Sequence, residues 1–145
     1  MPVTPAEYKP TVDELASIMR ARTTNELGAE LGTFTDATSP TEEQAEQHLT
    51  EALSLVSPRL GGSVPARLKD LARSVVNLRA AMIVETSYVP NDDDESGAYD
   101  RYEKQYDEAL EAYDMAAGHD AGQERRKTGS LKVGTPLTRA SEAAS

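Results

Sequence analysis

The chain has 145 residues, 28% of them charged, with one Phe and no Trp, enough for one domain whose modest core must come from Leu, Val, Ile, Ala and Tyr. With no cysteine, a disulfide framework and cysteine-ligated zinc are excluded. No apolar run approaches the roughly 18 residues of a membrane span, and the first residues lack the basic and apolar regions of a signal peptide, so the expectation is a soluble protein made in the cytoplasm with no membrane partner.

The net charge is −10, and it is unevenly placed: residues 118–145 carry +2, which leaves −12 on the first 117. A body this acidic repels nucleic-acid phosphates, and the same charge also serves solubility.

Three prolines in residues 1–10 predict an extended N-terminal arm. Thr11-Val-Asp-Glu14 reads as a capping box, in which the Thr11 hydroxyl and Glu14 carboxylate each satisfy the other's backbone amide. Val12, Leu15, Ile18 and Met19 then share one face, giving a first helix over 11–22. Residues 23–40 form a long connection, with Gly28 and Gly32 able to take positive φ. The strand-like Gly32-Thr-Phe-Thr35 predicts a short hairpin there. A connection of this length in a small domain is disordered or functional, and apolar Phe34 argues against full disorder. Phe34, with Thr33 and Thr35, is therefore the candidate intersubunit element.

Thr41-Glu-Glu-Gln44 is a second capping box after Pro40. It opens a second helix over 41–57, with Ala45, Leu49, Ala52, Leu53 and Val56 inward. Pro58 and Gly61-Gly62 end it. The third helix, 65–88, starts near Pro65, a favoured first-turn residue. Apolar residues from Leu68 to Ile83 wrap much of its circumference, which makes it the central helix. After the polar loop Pro90–Gly97, a fourth helix over 97–117 carries Tyr99, Tyr102, Tyr106, Leu110 and Tyr113 on one face and carboxylates on the other, with Gly118 placed to cap its end. The tyrosines suit either a core with hydroxyls at its rim or an interface. The fold class expected is all-α: a small four-helix bundle over 11–117 with a long connection between its first two helices and an extended C-terminal tail over 118–145.

Little in the chain suggests catalysis. His48 lies at the edge of the second helix's buried stripe, and His119 follows a helix C-terminus, where a cation suits the dipole. The two form no metal pair. Asp92-Asp-Asp-Glu95 lacks the alternation and central glycine of a calcium loop, and reads as a solvated acidic loop. No phosphate-binding loop, dinucleotide fingerprint or nucleophile elbow occurs. The expectation is a protein with no enzymatic activity and no cofactor. Residues 91–117 carry a net −8, to which Asp107, Glu111 and Asp114 of the fourth helix contribute. In the tail, Arg125, Arg126 and Lys127 precede Leu131, Lys132 and Val133, which alternate apolar and polar as a segment able to add a strand to a partner's sheet edge.

Several segments in order carry a family resemblance. They are Thr11-Val-Asp-Glu-Leu-Ala16 with Arg20-Ala-Arg22, then Asn25-Glu26, Gly32-Thr-Phe-Thr35 with Pro40-Thr41, Leu78-Arg-Ala-Ala-Met82, and the tyrosine-rich fourth helix. Over residues 8–117 the chain resembles the head-to-tail adaptor proteins of tailed bacteriophages, particularly those infecting actinobacteria. The resemblance implies a virion protein of the neck, made in the host cytoplasm and assembled as a ring, commonly dodecameric. The ring lies beneath the portal protein, extends the DNA channel and joins the stopper or tail. DNA passes through without specific binding, and Asp107, Glu111 and Asp114 are the candidates to face the channel or its rim. On that reading the tail residues 125–127 and 131–133 bind portal. The alternative is an acidic DNA mimic or regulator bound to a DNA-handling protein.

Overall fold

The structure is a computed structural model; it describes residues 1–25, 27–88 and 97–128, with side chains for all of these except 88 and 119–128. Among the described residues five α-helices occur: α1 (Pro5–Tyr8), α2 (Val12–Ile18), α3 (Glu42–Val56), α4 (Lys69–Tyr88) and α5 (Ala98–Thr128). Two two-residue strands, β1 (Pro2–Val3) and β2 (Val64–Pro65), pair antiparallel, Pro2 opposite Pro65 and Val3 opposite Val64. The architecture is mostly helical, with four longer helices and this small sheet.

Both capping boxes form. Thr11 Oγ1 accepts from the Glu14 amide at 3.2 Å while Glu14 accepts from the Thr11 amide at 2.8 Å. Thr41 and Gln44 repeat the exchange at 3.2 and 3.0 Å. Each pair satisfies amides that a helix start otherwise leaves open. A third box, Thr4 with Glu7, starts α1, and the bonds from Thr4 lower the Glu7 carboxyl pKa below its ordinary value.

The N-terminal segment is not the extended arm its prolines predict. It pairs as β1, turns through α1 and buries Tyr8 completely. Pro5 sits in the first turn of α1, where its missing amide costs nothing. The first helix is also shorter than expected. At Met19 the backbone leaves the helix (φ −124°, ψ 40°), and Arg20–Arg22 continues as a 3-10 turn. Pro65 belongs to β2 instead of opening the third helix, and a 3-10 turn, Ala66–Leu68, leads into α4.

Gly118 reads as a cap in the sequence, yet α5 runs through it to Thr128. Gly118 has no positive φ, so it takes an ordinary helical place at a cost of about 1 kcal/mol relative to Ala. The chain forms two compact units, 1–113 and 114–145; within the second, α5 replaces the expected extended chain as far as Thr128, and residues 129–145 lie outside the described residues.

In the first unit α3 and α4 pack most extensively, and α1 and α2 both lie against α4. The α4 residues Ala72, Val75, Val76, Ala80, Ala81 and Val84 are buried, meeting Leu49, Ala52 and Val56 of α3 in one core with Leu15, Leu68 and Phe34. Leu71, Leu78 and Ile83 are only partly covered, so the apolar girdle of α4 exceeds the core it meets. Three tyrosine hydroxyls fasten the periphery to backbone carbonyls. Tyr8 donates to Gly62 at 2.7 Å, Tyr102 to Ile18 at 2.8 Å and Tyr113 to Leu60 at 3.4 Å. On α5 the core reading of the tyrosine stripe therefore holds for Tyr102 and Tyr113, which are buried, while Tyr99 and Tyr106 are half-covered.

Candidate docking surface

The connection after α2 is built around one buried ion pair. Glu85 lies on the inward face of α4 with 1% of its side chain exposed, a position an unpaired carboxylate would not hold. Arg22 meets it with two parallel bonds, Nε to Oε2 at 2.7 Å and Nη2 to Oε1 at 2.8 Å. A guanidinium suits this geometry because its donors form a rigid fork. Tyr102 stands beside the pair in a hollow of about 270 Å³ that Ile18, Arg101 and Ala98 also line. Burial raises the Tyr102 phenol pKa, the Glu85 charge adds to the rise, and Arg101 and Arg22 oppose it.

From this clamp the chain projects a small hairpin. Thr24 and Glu30 form an antiparallel bridge. The turn between them is held by Asn25, whose Oδ1 accepts from the Leu27 and Ala29 amides at 2.9 and 3.0 Å. The Asn25 amide donates to Ala29 O at 3.0 Å, and Gly28 takes φ +82° with its amide on Asn25 O. Asparagine suits such a turn because its side chain copies a backbone acceptor. At the base, fully buried Thr23 accepts from the Gly32 amide and donates to Arg20 O, while the Leu31 amide bonds to Thr23 O. Arg20 and Glu30 add an exposed ion pair at 3.4 Å. The tip presents Leu27 at 92% exposure, a large apolar side chain standing in solvent on a hydrogen-bonded frame.

The hairpin expected at Gly32–Thr35 thus lies earlier, at 24–30. Residues 33–41 make a closed loop instead. Thr38 Oγ1 accepts from the Thr35 amide and donates to Pro40 O at 2.6 Å. The Glu42 amide reaches Thr35 O, and Thr33 bonds Asp13 at 3.1 Å. Phe34 is 1% exposed within the single chain. That corrects the intersubunit assignment: its ring fills the core of its own subunit and offers no face to a neighbour, while Thr33 and Thr35 spend hydrogen bonds within the chain. Sequence reasoning overlooked Leu27; the signal was a leucine between Asn25 and Gly28, where a turn normally carries polar residues.

Most carboxylates of α5 face solvent. Asp107 and Glu111, one turn apart on α5, are exposed, as are Asp100, Glu103 and Glu108; Asp114, on the part of α5 in the second unit, is exposed too. Arg125, Arg126 and Lys127 lie on the last helical turns, their side chains outside the described set, and Leu131, Lys132, Val133 and the acidic stretch Asp92–Glu95 are outside the described residues altogether. His48 Nδ1 meets Glu51 Oε1 at 2.6 Å on the rim of α3, the boundary role expected of it. Among the described residues no three His, Asp or Glu side chains gather as a metal site, and no helix is long and apolar enough to cross a membrane.

Comparison with known proteins finds no matching family model, no similar curated protein and no similar solved structure.

Proposed function

We propose that this chain is a structural head-to-tail adaptor of a tailed bacteriophage, assembling as a ring below the portal and linking it to the stopper or tail. The observation that carries the reading is the exposed carboxylate row of α5, from Asp100 to Glu111, joined to the ordered resemblance over residues 8–117. A ring around a DNA channel works only if DNA slides through it. Carboxylates at the wall or rim repel phosphates and leave nothing for DNA to adhere to. The small core supports the same reading, because a protein with little buried surface of its own gains stability from subunit contacts. The tail carries the portal anchor in this proposal, with Leu131 and Val133 seated on a portal sheet edge and Arg125, Arg126 and Lys127 steering it there.

The test is genetic. Removing the gene from the phage that encodes it should yield filled or leaking heads and free tails that fail to join, and the chain supplied in trans should restore joining. Normal tailed virions without it would refute the proposal. The same carboxylate row favours one rival, a DNA mimic, since acids three or four residues apart repeat every 4.5–6 Å or so along a helix. That rival predicts a monomer or dimer that captures a DNA-handling protein and has no affinity for portal.

A further inference from the structure

We infer that one internal water molecule sits between Arg73 and Asn77 of α4 and closes the polar seam where that helix meets the chain from Glu7 to Glu14. The site lies within a single chain and does not depend on the ring reading. Arg73 and Asn77 are one helical turn apart, so their side chains leave α4 on the same side, with Cβ atoms about 5–6 Å apart. Both reach across to backbone carbonyls. Arg73 Nη2 donates to Glu7 O at 3.4 Å and to Lys9 O at 3.3 Å, and Asn77 Nδ2 donates to Glu14 O at 3.2 Å. The Glu14 carboxylate stands 3.7 Å from Arg73 Nη1. Two atoms of the cluster are left over: Arg73 Nε and Asn77 Oδ1 are shut off from solvent and make no hydrogen bond to the protein.

The leftover atoms are complementary. Nε–H only donates and Oδ1 only accepts, yet the two do not bond each other. A buried polar atom without a partner is costly, and folded proteins keep few of them. Turning the Asn77 amide over does not relieve the cost, because it sets Oδ1 against Glu14 O, acceptor facing acceptor. The occupant must therefore accept a bond from Nε and donate one to Oδ1. A metal cation cannot accept and a halide cannot donate; water does both. Its second hydrogen can turn to Lys9 O, already a neighbour of the guanidinium, which gives the roughly three bonds usual for internal water. Bound there, the water ties α4 to the junction of α1 and α2 through side chains whose other donors already hold that junction.

A crystal structure of the wild-type chain, at a resolution that shows ordered solvent, tests the site. It should hold one solvent peak roughly 2.7–3.2 Å from both Arg73 Nε and Asn77 Oδ1. No peak there, or a direct bond between the two side chains, overturns the inference. Urea unfolding supplies a second measurement. Because the water needs both side chains, the Arg73→Met and Asn77→Leu substitutions should not act independently. Arg73→Met should lower the unfolding midpoint less in the Asn77→Leu background, where Nε has already lost its partner, than in the wild type. Equal shifts in the two backgrounds would show that the residues act separately and that no shared water joins them.

Discussion

Arg22 and Glu85 stand 63 positions apart in sequence and form the two-bonded ion pair that fixes the start of the 23–40 connection to α4. Because the Glu85 side chain is 1% exposed and that of Arg22 28%, the pair is asymmetric. Removing the arginine strands a buried charge, whereas removing the glutamate leaves a cation that can reach water.

Arg22→Ala should therefore destabilise the protein by about 2–4 kcal/mol, somewhat below the 3–5 typical when a fully buried pair loses one partner. Glu85→Ala should cost less. The apolar double variant Arg22→Met, Glu85→Leu should recover most of the loss, since a packed apolar pair avoids desolvating charge. Urea unfolding of the four proteins measures this; a loss for Arg22→Ala no larger than for Glu85→Ala would contradict the asymmetry.

Phe34→Ala should lower the stability of the single chain by about 3–5 kcal/mol, the usual cost of removing a buried aromatic ring. A variant that unfolds at the wild-type midpoint and is deficient only in assembly would return Phe34 to the intersubunit role that its burial removes.

Alkaline stability follows from two tyrosines. Burial raises the phenol pKa of both Tyr8 and Tyr102 above the ordinary 10.0, with the nearby Tyr113 adding to the rise at Tyr8. The folded state then holds these protons more tightly than the unfolded state. Their contribution is complete below pH 10 or so and is lost as pH rises through the folded values. Unfolding free energy measured from pH 9 to 12 should fall, and the fall should be shallower in Tyr102→Phe.

The two threonine caps and the central helix could be read from sequence because each signal was local. A capping box needs four consecutive residues, and the α4 stripe needs only helical periodicity. What could not be read depended on distant partners. Tyr8 is buried because Gly62 O and α4 wait for it, and Phe34 because the core has room for it. Glu85 could not be recognised as inward-facing without Arg22. The end of α5 was misplaced for a different reason: Gly118 is a helix-ending signal, but sequence does not distinguish a glycine that caps from one carried through a helix.

Gly118 has no positive φ, and an added Cβ would meet nothing within 4 Å. Gly118→Ala should raise helicity and stabilise α5 locally by about 0.5–1 kcal/mol, seen as stronger far-UV circular dichroism and slower amide exchange around residue 118. Loss of helicity instead would show that Gly118 caps the helix after all.

The adaptor account is tested most directly by mixing the purified chain with the portal of the same phage and imaging the product by cryo-electron microscopy. The account predicts a closed ring of this chain, of about a dozen copies by resemblance, stacked coaxially on the portal with a continuous channel through both. A chain that stays monomeric at concentrations well above those of assembly and leaves the portal bare would contradict it.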